Sequence, residues 1–410
     1  MAQARPVPSL TNGRWASVSS GTRHRSPGSQ SDRFAGYDAQ LHDALAAYEQ
    51  ALIELQGLSR QDIEVRLADL PWPGARPTEE HTQHPDLIVP FAPGTTWENH
   101  AQARAWAMKA LDGVPTIAVD GSQITPSKDF SVPVGAVQVG WFINPHAAEM
   151  PYVKDIAFEV LAPDELADED EDIVGFPDWR VNLQRFLGEC ERLKISMADY
   201  RDAAAKPVCF FDGSLIVSFV QHMLPQRQRL YIGAILSLLD ASEAYRVPLV
   251  GYVDTSYAND LAAMLDALTG RRSTQRISDG ALLRDRLAWG DRSTTWICAR
   301  DDGVEPVDGS KYYERVCFTY LKTTADRSPA RLDLPCWLLE AGELEHTLDV
   351  VRAECVVGNG YPYAVETADA VAVITMQDRE RFYRVFQEFA EKEGLPLRFS
   401  RKAVSKRDRR

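Results

Sequence analysis

Two short segments carry the chemistry of this chain: "PTIAVDGSQI" at residues 115–124 and "PVCFFDGSLI" at residues 207–216. Each runs an apolar strand into Asp-Gly-Ser. In open α/β sheets the strand ends are where sites are built, which places Asp120 and Asp212 where a functional carboxylate belongs. The Gly beside each Asp allows a tight turn or the close approach of a phosphate, and the Ser can cap a following helix. One Asp-Gly-Ser is an ordinary turn; two, each behind an apolar run, suggest a shared purpose. If the strands at 115–119 and 208–211 lie side by side, the two carboxylates face each other and repel unless a cation joins them. Hard divalent ions, Mg²⁺ or Mn²⁺, prefer such oxygen ligands. A pair of ions ~3.5–4 Å apart is the usual device for splitting a phosphodiester, one activating the attacking water and the other stabilising the leaving oxygen. The pattern points to a metal-dependent nuclease.

Two ions need further acids. The helical run "WRVNLQRFLGECERLKISMADY" offers Glu189 and Glu191, and a helix crossing the sheet would lower one of them onto the metal. A solvated helix face accounts for at least one of the two. Asp369, in "ETADAVAVI", is a carboxylate among small apolar side chains, expensive to bury unless paired or metal-bound. Asp254, at the end of "LVGYVD", is a further candidate, although a strand-end Asp often only caps the next helix.

The elements that must position these acids follow from periodicity. From Tyr37, "YDAQLHDALAAYEQALIEL" puts Leu41, Leu45, Tyr48, Leu52 and Leu55 at helical spacing, and "HAQARAWAMKALDG" is a second helical run closed by Gly113. Then strands take over: "TIAVD", "VPVGAVQVGWFI" and "VKDIAFEVL" read as an antiparallel meander. The long helical run follows, then "PVCFFD", a helix from Leu215 to Tyr245, the strand "VPLVGYVD" and the helix "ANDLAAMLDAL". The order β-β-β-α-β-α-β-α gives an α/β protein with a mixed sheet. "DGALLRDRLAWGDRS" reads as helical, "RVCFTYLKT" as a strand, and "VETADAVAVI" with "DRERFYRVFQEFAEKEG" as two terminal helices.

Composition bounds the reading. The chain has 410 residues, 45% of them hydrophobic and 25% charged, as a folded globular protein has. A net charge of −14 argues against holding nucleic acid by bulk positive charge, so any such contact is local. The six cysteines stand singly, with no C-x-x-C pair for zinc or redox work, and read as reduced thiols. No apolar run of ~18 residues and no signal-peptide core are present, so a cytoplasmic location without a membrane span is expected. A Walker A ending is absent too, so ATP use belongs to another chain. Residues 1–34 are rich in Ser, Gly, Arg and Pro and read as a mobile arm, residues 35–113 as a helical region, and 401–410 as a basic tail.

In this order and spacing, "AVDGSQI", "FFDGSLI", "SDGALLRDRLAWGDRS" and "GNGYPYAVETADAVAVI" resemble the NurA nucleases, partners of HerA-type hexameric DNA translocases in double-strand break repair. The resemblance implies an RNase H-like core in residues 114–400, a mixed β-sheet flanked by helices with N-terminal and C-terminal helical additions. It implies Mn²⁺ or Mg²⁺, two ions, held by Asp120, Asp212 and a helix Glu that falls on Glu189, or on Glu191 with a slip of half a turn. Tyr361 in "GYPY" matches a tyrosine at the site, and Asp369 stands where archaeal members carry His. An Asp there can bind a hard ion but supplies no imidazole for proton transfer. Family members are implied to be homodimers with a central channel that cut single-stranded DNA from the 5′ end and also as endonucleases, sharing DNA engagement with the translocase ring. Arg227, Arg229, Arg271, Arg272, Arg292 and Lys322 are phosphate-contact candidates, each with an ordinary surface charge as the plainer account. His222 reads as structural, and Trp141 and Tyr257 as stacking candidates, with core packing the plainer role for Trp141. Two other classes stay open: a non-catalytic adaptor with the same fold that docks on a translocase, and an RNase H-like ribonuclease or Piwi-type relative.

Overall fold

The computed structural model describes residues 27–91, 97–127, 130–167, 178–270, 277–300 and 311–395. Most of the expected arm and the whole basic tail lie outside the described residues. One sheet holds eleven strands among them: β1 (Gly74–Pro77), β2 (Ile88–Val89), β3 (Thr116–Ile124), β4 (Gly135–Asn144), β5 (Val153–Leu161), β6 (Val208–Asp212), β7 (Leu249–Val253), β8 (Arg292–Ser293), β9 (Trp296–Ala299), β10 (Val316–Leu321) and β11 (Ala330–Pro335). The longer helices are α1 (Pro27–Gln56), α2 (His100–Leu111), α3 (Trp179–Asp199), α4 (Pro225–Tyr245), α5 (Asp260–Thr269), α6 (Leu344–Val357), α7 (Tyr363–Ala372) and α8 (Met376–Lys392).

At the centre, β3, β4 and β5 form the expected antiparallel meander. β6 pairs parallel to β3 on its other edge, and β7 parallel to β6. The order β5-β4-β3-β6-β7 is that of an RNase H-like core, with α3 and α4 as the long connections that parallel pairing demands. β11, β10, β9 and β1 extend the sheet beyond β7, starting antiparallel. The runs "TIAV", "VCFF" and "LVGY" are buried on both faces because helices cover both. Ile117, Val119 and Phe211 meet the apolar stripes of α3 and α4, whereas Ala118, Phe142 and Phe210 meet α2, α6 and α7. Phe210 is wholly buried and contributes roughly 2–3 kcal/mol by transfer from water alone. No helix among the described residues is long and apolar enough to cross a membrane.

Several local expectations shift. α1 begins at Pro27, inside the stretch read as an arm. The helix expected from Leu215 is a 3₁₀ turn, Ser218–His222, followed by α4. Pro225 sets that break, since the residue before a proline is pushed to extended backbone, as Leu224 is, while the proline itself suits the first helical position. "DGALLRDRLAWGDRS" is helical only over Asp279–Leu283. The first Asp-Gly-Ser does not end a strand: β3 runs through it to Ile124, because β4 pairs along its full length.

Candidate active site

Parallel register sets Val119 beside Phe211, so the next residues on the two strands, Asp120 and Asp212, are neighbours. β6 stops at Asp212, while β3 continues to Ile124 with only β4 paired to it among the described residues. The uncovered edge of β3 is the switch point at which the chain leaves β3 and β6 in opposite directions, the place where open sheets take ligands.

Three further groups reach this edge. α7 packs on β3 and β4, carrying Asp369 to Asp120. Gly140, opposite Asp120, makes that approach feasible: a methyl there would stand 2.7 Å from the Ala372 amide nitrogen. Gln138 fastens the end of α7, donating from Nε2 to the Ala372 carbonyl at 3.0 Å. On α3 the buried stripe Val181, Phe186, Glu189, Cys190 and Leu193 places Glu189 against the sheet. Gly121 leaves the space it fills, since a methyl on Gly121 would lie 2.5 Å from Glu189 Oε1. Glu191 faces solvent and pairs with Lys194 at 2.8 Å, so the half-turn ambiguity resolves toward Glu189 as the acid facing the site. Tyr361 donates its hydroxyl to Asp212 Oδ1 at 3.0 Å, its ring edge-on to Tyr252.

Electrostatically this is a cluster of carboxylates short of positive charge. Burial lifts Asp120 to about 6; the Gly121 amide opposes this, and the charges of Asp212 and Asp369 and a hydrogen bond with Asp369 add to it. Glu189 rises to about 7, chiefly by burial, with Arg185 pulling down and Asp120 and Asp212 pushing up. Asp212, open to solvent on one side, is raised by desolvation and by Asp369 against the help of Tyr361 and Arg185. The Tyr361 phenol is pushed far up by burial and by Asp212, so it serves as a hydrogen-bond donor. Asp254 follows β7 and its charge reaches Tyr361, which places it on the flank of the cluster.

Among the described residues no three His, Cys, Asp or Glu side chains stand in a preformed metal cage. The donor chemistry nonetheless suits a hard divalent ion: Asp120 feels the charges of both Asp212 and Asp369, a repulsion that a cation relieves. Asp120, Asp212, Asp369 and Glu189 are the side chains that would hold it.

The second Asp-Gly-Ser is built differently from the first. Gly213 takes a φ of +140°, outside the range of other residues. Ser214 donates to Asp333 Oδ2, and the Leu215 amide donates to the same oxygen at 3.1 Å. Asp333 accepts from Arg331 Nε at 2.8 Å, Arg331 donates to Asp260 at 2.5 Å, and Asp260 accepts from Arg300 Nε at 2.8 Å. This buried chain of ion pairs moors the loop that carries Asp212. Sequence reading did not mark it, because Asp333 and Arg331 sit in an ordinary-looking strand, "ARLDLP". Arg185 also went unmarked, although its position one turn before Glu189 was a usable signal.

The phosphate-contact candidates divide. Arg292 is buried and paired with Glu80 and Glu345, and Lys322 gives its ammonium to the Arg284 and Arg327 carbonyls at 2.7 Å each; both are structural. Arg227 lies on the Trp179 ring at 4.1 Å, Arg229 is exposed, and Arg271 and Arg272 lie outside the described residues. Trp141 packs partly in the core beneath Arg192, whereas Tyr257 is 87% exposed. His222 closes the 3₁₀ turn, in solvent, and is not on the long helix.

The NurA domain family model matches residues 114–374, more than half of the chain. Among solved structures, the NurA nuclease from Sulfolobus solfataricus is similar at 13% identity, over 68% of this chain and 85% of that one, with a TM-score of 0.46. A NurA structure with manganese is similar at 10% identity over 68% and 89%, TM-score 0.37. The catalytic domain of human Endonuclease V is similar at 13% identity over 77% and 96%, TM-score 0.29. No curated protein sequence matches the chain significantly.

Proposed function

From the premise that the chain belongs to the NurA family, we propose that it is a metal-dependent DNA nuclease acting on single-stranded DNA, as a 5′-to-3′ exonuclease and as an endonuclease. The observation that carries the reading is the convergence of Asp120, Asp212 and Asp369 at the open edge of β3, with Asp120 held up near 6 by burial and its carboxylate neighbours. Divalent ions, Mn²⁺ or Mg²⁺, would supply activation of water and charge stabilisation at the leaving oxygen. The protein's own groups do the positioning. Tyr361 fixes the Asp212 carboxylate, Gly121 and Gly140 admit α3 and α7, and the Asp333 chain holds the Asp212 loop. In the cell the same reading gives a role in break-end processing beside a HerA-type ATPase, and a homodimer. For the dimer, β5 offers an edge that no strand among the described residues pairs, and Val153, Ile156, Phe158 and Val160 on it are each 44–50% exposed.

The test is a substrate panel: end-labelled single-stranded and duplex DNA and matching RNA, each with Mn²⁺, Mg²⁺ or EDTA, with and without a cognate translocase. Metal-dependent cutting of DNA supports the proposal. Preference for RNA would favour the ribonuclease reading, and folded protein that cuts nothing even beside the translocase would favour a docking adaptor.

A further inference from the structure

The carboxylate cluster contains one cation that the nuclease reading does not use. Arg185, one turn before Glu189 on α3, donates from Nη1 to Glu189 Oε1 at 2.9 Å and to the Gly121 carbonyl at 3.3 Å. Its charge is felt by Asp212 and Glu189 alike. A single guanidinium nitrogen makes both bonds. Nε is buried without a partner, and Nη2 has no hydrogen bond among the described residues. The unused Nε and Nη2 hydrogens form the planar fork that matches two oxygens of a phosphate. The side chain is 31% exposed and beside Gly121, on the segment of β3 that no strand among the described residues covers on the β6 side.

We propose that Arg185 is an exchangeable counter-ion of the site: it holds Glu189 while no metal is bound, yields that carboxylate to the divalent ion, and turns its free fork to the scissile phosphate. The inference rests on the nuclease reading and adds a residue to it. A purely structural i,i+4 pair would instead hold Glu189 against the helix permanently, and its removal would weaken metal binding together with the fold.

The experiment measures Mn²⁺ binding by electron paramagnetic resonance, without DNA, at about pH 8.5 so that the carboxylates are ionised, and in parallel the cleavage of single-stranded DNA at saturating Mn²⁺. Wild type is compared with Arg185→Met, Arg185→Lys and, as a charge control on the same helix, Arg192→Met. Removing the competitor is expected to tighten Mn²⁺ about tenfold in Arg185→Met while slowing cleavage about a hundredfold. Arg185→Lys, which keeps the charge but not the fork, is expected to bind Mn²⁺ within about twofold of wild type and still cut poorly. Arg192→Met should change neither. Unchanged or weaker Mn²⁺ binding in Arg185→Met, with wild type binding Mn²⁺ and cutting DNA, overturns the exchange and leaves the nuclease reading intact. A wild type that neither binds Mn²⁺ nor cuts overturns both.

Discussion

The two Asp-Gly-Ser segments share three letters and a register, yet the fold uses their second and third residues for different ends. In the first, the tripeptide lies inside a strand. Gly121 is there for what it lacks, a side chain that would strike Glu189, and the Ser122 side chain makes no hydrogen bond among the described residues. In the second, the strand has ended, Gly213 turns the chain at a φ of +140°, and Ser214 is tied to a buried ion-pair chain through Asp333. Only the aspartates do the same job. A repeated motif can therefore mark one shared function while its remaining letters solve two local problems, admitting a helix in one case and anchoring a loop in the other.

The largest effect should come from cutting the mooring. Asp333→Ala leaves Arg331, 2% exposed, facing Asp260 with one fewer counter-charge, and should cost about 3–5 kcal/mol in denaturant unfolding. A loss under ~1 kcal/mol would mean that the buried chain does not hold the Asp212 loop. Gly121→Ala separates fold from function on the other side. The added methyl meets the Glu189 carboxylate and the Arg185 Cγ, so both side chains must shift, and cleavage should fall by about tenfold to a hundredfold while melting falls by much less in proportion. Equal damage to both would make Gly121 a packing residue.

The two regions should also respond to pH with opposite sign. In EDTA, Asp120 is raised from its ordinary 3.8 to about 6 and Glu189 from 4.5 to about 7. The folded state thus holds extra protons between about pH 4 and 7, and their contribution is full in acid and is lost as pH rises through 6 to 7. Asp260 behaves conversely: burial opposes its charge, but Arg331 and Arg300 outweigh burial and lower it, so its contribution is present above 3.8 and lost in acid. Thermal melts in EDTA should show the site's part as a decline from about pH 5 to pH 8 that Asp120→Asn flattens. A decline that survives Asp120→Asn and Glu189→Gln would assign it to Asp279, also raised to about 6 by burial and Asp260. The smallest contrast is between the serines: Ser214→Ala should cost about 1–2 kcal/mol and Ser122→Ala under ~0.5, read from paired unfolding curves. Equal values would remove the distinction between a moored loop and a free strand.

Much of this was legible beforehand, and the reasons are specific. The two strands could be read because each acid followed an apolar run too short for a helix, and the β-β-β-α-β-α-β order gave a mixed sheet; that the strands lie side by side was a condition, which the parallel pairing of β3 with β6 meets. Glu189 over Glu191 was also within reach: it lies three residues from Phe186 and four from Leu193, on the apolar stripe, whereas Glu191 is two positions round the helix. What stayed hidden depends on contacts distant in sequence. Nothing local distinguishes Asp333 from a surface strand residue, because Ser214, which it holds, is 119 positions away, and Asp260, which shares Arg331 with it, is 71 positions from that arginine. Arg292 and Lys322 were read as possible phosphate contacts because their partners are not visible in the pattern: Glu80 and Glu345 hold Arg292, and the Arg284 and Arg327 carbonyls hold Lys322. The extent of β3 was missed because Asp-Gly-Ser is turn-like in isolation and becomes strand only where β4 supplies a ladder.

The most direct test of the account is the cleavage of end-labelled single-stranded DNA in Mn²⁺ by wild type, Asp120→Ala, Asp212→Ala and the double variant, all shown to be folded. One shared site predicts that each single change removes at least about a thousandfold of the rate and that the double change costs no more than either alone. Full activity in either single variant, or losses that multiply in the double, would contradict it.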